Sequence, residues 1–314
     1  MLLFIPVLLL CSGCTRGYEN AYDVNTTISA FTFENSYSEN TAVPFANDLC
    51  VVSDDIYGNA DASLSEAFGL FDVSGKETLL SKNANERLYP ASLTKTMTAM
   101  LALKYGKLED VLVASKNVAI TESGAQLIPL HEGDRMTLEN ALHALLLYSA
   151  NDAAVMVAEY ISGSVEAFAD LMNKEALSLG ATNTHFVNPH GLTDEEHYTT
   201  VYDLYLIFKE AVKYDKLTEI MNKDSYQLTY SDASGNAKTL DIKNTNAYLN
   251  GNRQTPEGIR VIGGKTGTTD AAGSCLILLS RNAGDLPYIS CVLKAADRES
   301  VYDEMTELLS SIPY

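Results

Sequence analysis

A chain of 314 residues is long enough for one large domain or two lobes, and 46% hydrophobic and 20% charged residues are ordinary for a soluble globular protein. The formal net charge of −19 argues against a nucleic-acid partner, since phosphate binding needs clustered Lys and Arg. An acidic surface is compatible with an extracytoplasmic location, but it names no substrate.

Residues 1–14 are typical of an export signal. The apolar run at residues 2–10 is too short to span a bilayer and resembles the core of a secretion signal. Ser12-Gly13-Cys14 resembles a lipoprotein signal box, in which the cysteine is lipidated and becomes the mature N-terminus. Cys11 departs from that box, which usually has an aliphatic residue at this position. In addition, no basic residue precedes the apolar run; a start codon further upstream would explain this second departure. We expect an exported protein anchored to the membrane by lipid on Cys14.

The sequence after the signal divides in two. Residues 15–57 are polar and lack a sustained hydrophobic period, which predicts a leader or tether, and residues 58–314 are predicted to form the folded domain. Cys50 is interpreted as an isolated thiol in the leader. Cys275 and Cys291 are placed to face each other across a hairpin. Two small buried core residues are nevertheless the favoured interpretation, because Cys packs as a small hydrophobe. No metal-ligand spacing or cofactor motif is present, so we expect no cofactor.

Periodicity predicts the fold class. Strands on both sides of Asp72-Val73-Ser74-Gly75 form a hairpin, and a helix begins near Ala91 after Pro90. Residues 105–214 are mostly helical, and strands follow Asp224. These patterns imply an α/β (α+β) fold, with one antiparallel sheet built from both termini, flanked by helices, and an inserted all-helical lobe. The predicted helices include residues 138–147, 152–161, 165–179, 202–213 and 301–310. The later predicted strands cover residues 226–230, 238–240, 259–264, 274–280 and 288–293.

Ser92-Leu93-Thr94-Lys95 stands at the start of the first helix. One turn separates Ser92 from Lys95, which puts the hydroxyl and the amine on one face. A serine hydroxyl becomes a strong nucleophile when a nearby base takes its proton, and a desolvated lysine of lowered pKa can act as that base. A Ser-x-x-Lys tetrad occurs by chance in many chains, so it needs partners elsewhere.

Two further motifs offer such partners. Ser149 and Asn151 lie two residues apart between predicted helices, where a hydroxyl can relay a proton and an amide can hold a peptide. Lys265-Thr266-Gly267-Thr268 lies on a predicted strand. Lys265 and Thr266 suit a terminal carboxylate, Gly267 permits close backbone approach, and the N–H of Thr268 can pair with that of Ser92 as an oxyanion hole. Taken alone, Ser149 and Asn151 are better explained as turn and helix-cap residues, and a Lys-Thr-Gly on a surface strand is common by chance.

In this order on helix, loop and strand, the three motifs resemble the active-site set of the penicillin-binding and serine β-lactamase superfamily. The chain is most similar to the low-molecular-mass D-alanyl-D-alanine carboxypeptidases. The resemblance spans about residues 66–309 and extends to Asn188-Pro189-His190-Gly191-Leu192 and to Tyr198-Thr199-Thr200. It implies a β-lactamase/transpeptidase-like fold.

The resemblance also implies roles for individual residues. Ser92 would be acylated by the penultimate D-alanine carbonyl of a peptidoglycan stem pentapeptide, with Lys95 as general base and Ser149 as proton relay. The same Ser92 would be acylated by β-lactam antibiotics acting as covalent inhibitors. Asn151 would hold the peptide.

The binding of the terminal carboxylate is implied in the same way. Lys265 and Thr266 would bind it, beside Gly267 and Thr268, and Arg298 matches a family arginine that helps to hold it. A lone arginine at a helix start is otherwise usually a solvated surface residue.

Other functions use overlapping residues. A D,D-endopeptidase acting on cross-linked peptidoglycan would need the same set. A class A β-lactamase would need a Glu-x-x-Leu-Asn loop, whereas Glu195 and Glu196 precede His197-Tyr198. A non-catalytic wall-binding lipoprotein predicts erosion of the motifs, yet all are intact. A zinc pair of His190 and His197 would lack a third ligand, so structural histidines are the favoured interpretation.

Overall fold

The computed structural model describes residues 48–58 and 62–313. The predicted signal, including Cys14, and most of the predicted leader lie outside these residues. Within the described part of the chain, nine strands are present. They are β1 (Ser65–Asp72), β2 (Glu77–Lys82), β3 (Val111–Val113), β4 (Arg135–Thr137), β5 (Ser225–Ser231), β6 (Ala237–Lys243), β7 (Arg260–Thr269), β8 (Gly273–Arg281) and β9 (Pro287–Ala295).

The main sheet is antiparallel and joins strands from both ends of the chain, in the order β2-β1-β9-β8-β7. This confirms the predicted sheet and the hairpin at its N-terminal edge. Side chains alternate between two hydrophobic clusters: in β8, Leu276 and Leu278 point to one, and Cys275 and Ile277 point to the other. A strand buried on both faces needs a continuous apolar run, and β8 has one.

The β5–β6 hairpin is not part of this sheet, which corrects the prediction of a single sheet. It forms a second sheet in the order β3-β4-β5-β6. The reason is that most residues of both strands are exposed or half-buried, and Leu228 and Ile242 alone are fully buried in them. Such strands cannot replace β8 or β9, which are covered on both faces.

Seven α-helices surround the main sheet in the described residues. They are α1 (Lys95–Tyr105), α2 (Leu138–His143), α3 (Asn151–Ser162), α4 (Val165–Ser178), α5 (Val201–Ala211), α6 (Asp215–Met221) and α7 (Arg298–Ser310). The predicted helices are confirmed within a few residues at each end, except that α2 ends at His143 and continues as a π-turn over Ala144–Tyr148. The periodicity missed α6. In the described residues no helix has the length and apolarity needed to cross a bilayer.

The predicted all-helical lobe at residues 105–214 is wrong in its first third. Residues 111–137 contain the short strands β3 and β4 and irregular backbone. Helix α1 packs within the larger hydrophobic cluster. Every residue from Lys95 to Ala102 is buried, as expected for a helix covered on all sides. Helix α7 covers the opposite face of the main sheet with Val301, Met305 and Leu308.

The packed domain begins before the predicted boundary at residue 58. Cys50 is fully buried, its N–H donates to the Tyr205 hydroxyl (3.0 Å), and its carbonyl accepts from Tyr202 (2.9 Å). Ile56 forms a β-bridge with Ser81. Cys50 is therefore a core residue and not an isolated thiol in a leader.

The two cysteines of the main sheet behave as the favoured interpretation expected. Cys275 and Cys291 are both free and buried in the cluster that faces α1 and α5. Across the strands Cys291 pairs with Ile277, and Cys275 pairs with Gly267. Burial raises the pKa of the Cys275 thiol to about 12, so this thiol is an inert packing group.

Candidate active site

Ser92 lies on a 3₁₀ turn, Ala91–Thr94, that leads directly into α1. In a 3₁₀ turn the side chains at i and i+3 eclipse each other. This geometry places Lys95 Nζ 2.8 Å from Ser92 Oγ. The predicted pairing of hydroxyl and amine is therefore present, on a tighter turn than the α-helix expected.

Lys95 is enclosed by acceptors. Its Nζ donates to Asn151 Oδ1 (2.6 Å) and to the carbonyl of His190 (2.7 Å). Burial, with the nearby charge of Lys265, holds the pKa of Lys95 well below its usual value. A neutral amine has two N–H donors and one lone pair. Because two of the three partners can only accept, the lone pair of a neutral Lys95 would face Ser92 and could take its proton.

Ser149 approaches from the other side of the cleft. It follows the π-turn and has φ +66°, a left-handed conformation unusual for serine, and α3 begins two residues later at Asn151. Strained backbone of this kind is common at functional sites. Ser149 Oγ accepts a hydrogen bond from Lys265 Nζ at 3.0 Å. Burial lowers the pKa of Lys265 to about 7.

A cleft of about 250 Å³ opens between these groups, and Ser92, Ser149, Thr266 and Arg298 all line it. Thr266 Oγ1 is 2.6 Å from Thr245 Oγ1, and Arg298 Nη2 donates to the carbonyl of Thr245 at 2.9 Å. Thr245 thus contacts both residues, Thr266 through its hydroxyl and Arg298 through its carbonyl.

The backbone around Ser92 is packed closely against β7. A Cβ atom added to Gly267 would lie 2.9 Å from the backbone nitrogen of Ser92, so only glycine lets the strand come this near. Thr268 follows on the same strand and also lines the cleft. The oxyanion hole formed by the N–H groups of Ser92 and Thr268 stays a prediction.

Sequence reasoning missed two supporting groups. Asp152 is fully buried and accepts hydrogen bonds from the N–H groups of Ile128 and Leu130, which ties the start of α3 to the loop across the cleft. Burial raises the pKa of Asp152. The other group is the His190 carbonyl that contacts Lys95; its motif was recognised in the sequence, but its contact was not predicted.

Comparison with known proteins agrees with this geometry. Residues 58–297 match the Peptidase S11 family, described as D-alanyl-D-alanine carboxypeptidase. The chain belongs to this family. The residues matched include all three motifs and end just before Arg298.

Two curated relatives are the D-alanyl-D-alanine carboxypeptidases DacF of Bacillus subtilis (strain 168) and DacC of Escherichia coli (strain K12). DacF is 38% identical over 240 residues, covering 74% of this chain and 58% of DacF. DacC is 32% identical over 255 residues, covering 78% of this chain and 60% of DacC. The chain spans less than two thirds of the length of either relative.

The crystal structure of the Streptomyces K15 DD-transpeptidase is similar with a TM-score of 0.74 and 26% sequence identity, covering 81% of this chain and 98% of that chain. This similarity confirms the predicted transpeptidase-like fold.

Proposed function

We propose that this chain is a serine-type D-Ala-D-Ala carboxypeptidase that removes the terminal D-alanine from peptidoglycan stem pentapeptides. The observation that carries the proposal is the contact of a buried, pKa-lowered Lys95 with Ser92. Neutral Lys95 takes the hydroxyl proton as Ser92 Oγ attacks the penultimate D-alanine carbonyl. The description of the matching family and the names of the curated relatives support the same substrate.

The second half of acylation expels the terminal D-alanine. The Ser92 ester bond forms, the C–N bond breaks, and the departing amine receives its proton through Ser149. Lys265 is the cation next to this relay, because its Nζ donates a hydrogen bond to Ser149 Oγ. Water then attacks the ester, and the shortened peptide leaves with Ser92 restored.

The terminal carboxylate of the substrate would bind to the part of the cleft lined by Thr266 and Arg298, with the buried Lys265 next to Thr266 in the chain. A cation and a hydroxyl there give charge-assisted hydrogen bonds, and Asn151 Nδ2 is the donor left to the peptide, because Oδ1 accepts from Lys95. The substrate is thus fixed by its carboxylate at one side of Ser92 and by its backbone at the other.

β-Lactams would acylate Ser92 in the same way and remain attached for long times. Among the described residues that line the cleft, none is an aspartate or a glutamate that could activate water as in a class A β-lactamase. This feature favours a carboxypeptidase inhibited by penicillins over a β-lactamase.

The location we propose is extracytoplasmic, with export directed by residues 1–14 and a lipid on Cys14 as membrane anchor. Peptidoglycan peptides lie outside the cytoplasmic membrane, so the substrate requires export. Labelling cells with a radioactive fatty acid tests the anchor: Cys14→Ala should abolish incorporation and release the protein from the membrane fraction.

The activity is tested by D-alanine release from a peptide ending in D-Ala-D-Ala. The wild-type protein should release D-alanine and gain the mass of one penicillin on Ser92, whereas Ser92→Ala should do neither and still unfold cooperatively. A wild-type protein that stays unmodified by penicillin would overturn the mechanism. Faster turnover of a cross-linked peptide dimer than of the pentapeptide would show the D,D-endopeptidase instead.

A further inference from the structure

A chain of hydrogen bonds runs behind Ser92 through side chains that the mechanism does not use. The backbone N–H of Val187 donates to His197 Nδ1 (3.1 Å). His197 Nε2 lies 2.9 Å from Thr94 Oγ1, and Thr94 Oγ1 donates to the carbonyl of Ala91 (2.9 Å). His197, Thr94 and Ala91 are all buried.

The direction of this chain follows from its first bond. An N–H donor at Nδ1 needs a lone pair there, so the one proton of the neutral ring is on Nε2. His197 Nε2–H therefore donates to Thr94, whose own proton is directed to the Ala91 carbonyl. Burial lowers the pKa of His197 to about 4, so the ring is neutral near pH 7. With both ring nitrogens engaged, His197 has no lone pair for a metal ion.

This series of hydrogen bonds ends at the peptide group between Ala91 and Ser92, which carries one of the proposed oxyanion donors. The carbonyl of Ala91 and the N–H of Ser92 belong to one planar peptide group, so a bond that fixes the carbonyl also fixes the direction of the N–H. Gly191 closes the other side: a Cβ atom there would lie 1.8 Å from the Ala91 oxygen. Ala91 itself has φ +47°, a conformation that costs an L-residue about 1–2 kcal/mol.

We propose that Thr94 and His197 are positioning residues that hold the Ala91–Ser92 peptide group so that the Ser92 N–H points at the developing oxyanion. A strained backbone conformation such as that of Ala91 persists only where surrounding contacts stabilise it. The hydrogen bond from the Thr94 hydroxyl to the Ala91 carbonyl is such a contact. Donation to the carbonyl also polarises the peptide group and strengthens its N–H as a donor. The inference rests on the proposed acylation of Ser92.

The test compares the acylation rate by a penicillin, together with kcat and KM for a D-Ala-D-Ala peptide, in four variants. Thr94→Val removes the hydroxyl but keeps the shape, and Thr94→Ser keeps the hydroxyl. Thr96→Val is the matched control, because Thr96 Oγ1, at the start of α1, makes the same kind of buried bond to the carbonyl of Leu93 (2.7 Å) in the 3₁₀ turn. His197→Phe keeps a packed ring and removes both the donor to Thr94 and the acceptor of the Val187 N–H.

Removing a whole oxyanion donor costs about 10²–10³ in kcat, so a misdirected donor in Thr94→Val should slow acylation by roughly ten- to a hundredfold. KM should stay near its wild-type value, since the loss is confined to the transition state. Thr94→Ser should restore most of the rate, and His197→Phe should lose less than Thr94→Val.

Thermal unfolding of each variant separates folding from positioning. If Thr94→Val does not fold, folded His197→Phe decides the question, and acylation at the wild-type rate in it overturns the proposal. Equal losses in Thr94→Val and Thr96→Val would also overturn it, because the effect would then be general to the helix. A wild-type protein that is not acylated at all would instead refute the proposed function.

Discussion

The side-chain oxygen of Asn151 accepts a hydrogen bond of 2.6 Å from Lys95 Nζ. Asn151 was predicted only as a holder of the peptide, and the contact gives it a second role as an uncharged acceptor for Lys95, the proposed base. An amide is suited to that role because it holds the amine in place without adding a negative charge. A carboxylate in the same place would favour the protonated amine and raise its pKa.

Replacing this amide by a carboxylate should therefore switch off the base. In Asn151→Asp the new charge beside Lys95 raises the pKa of the amine, so the acid limb of the acylation profile moves to higher pH. Each unit of that shift costs about tenfold in the rate below the limb. The measurement is the penicillin acylation rate from pH 5 to pH 10.

Asn151→Ala is the matched variant, because it removes the same contact without adding charge. It should lower the rate and leave the pH of the acid limb near that of the wild type. If Asn151→Asp instead shows the wild-type limb with a uniformly lower rate, Lys95 is not the group that titrates.

The lowered pKa of Lys265 predicts that kcat/KM falls on the alkaline side of its pH profile. Its pKa is lowered to about 7 by burial, so in the free enzyme the cation is present below that pH and lost above it. Since kcat/KM reports the free enzyme, kcat/KM for a peptide with a free carboxylate should fall as the pH rises above about 7. A peptide with an amidated C-terminus offers no carboxylate and should show a weaker limb.

Lys265→Arg provides the control for this assignment. A guanidinium stays charged throughout this range, so the alkaline limb should vanish although the absolute rate falls with the altered contact to Ser149. An alkaline limb that persists unchanged in Lys265→Arg would assign it to another group.

Gly191 predicts a steric effect on the site. Its φ is +86°, and an added Cβ atom would overlap the carbonyl of Ala91 at 1.8 Å. Gly191→Ala should therefore displace the peptide group beside Ser92, slow penicillin acylation by about tenfold or more, and lower the melting temperature.

The chain offers a matched control in Gly251, which has φ +82° and nothing within 4 Å of an added Cβ atom. Gly251→Ala carries only the conformational cost of about 1–2 kcal/mol and should acylate at the wild-type rate. Equal acylation rates in Gly191→Ala and Gly251→Ala would show that the carbonyl of Ala91 tolerates displacement.

The sequence predicted the site better than the sheet arrangement, for a physical reason. Ser92 and Lys95 are one turn apart, so local geometry alone brings them together. The pairing of a hairpin with a particular sheet depends on distant strands, and alternation in β5 and β6 does not specify that partner. The contact of Lys95 with the carbonyl of His190 was beyond prediction because any residue type supplies a carbonyl.

The position of Cys50 shows the same limit. Its partners Tyr202 and Tyr205 are more than 150 residues away in the sequence. The apolar run Leu49-Cys50-Val51-Val52 is too short to show a hydrophobic period that would predict burial. A long-range contact made by a backbone group leaves no pattern in the local sequence.

Tyr205 should therefore hold the segment at residues 48–52 to the domain. Tyr205→Phe keeps the ring stacked on Phe71, with centroids 4.3 Å apart, but leaves the buried N–H of Cys50 without its acceptor. An orphaned buried donor costs about 1–3 kcal/mol, and the free energy of unfolding should fall by that order. Hydrogen–deuterium exchange should show the amide of Cys50 exchanging faster, with the β8 amides less affected. Tyr202→Phe is the comparison, because it removes a hydroxyl donor to the carbonyl of Cys50 and leaves the Cys50 N–H paired. Unchanged exchange of the Cys50 amide in Tyr205→Phe would show that other contacts hold the segment.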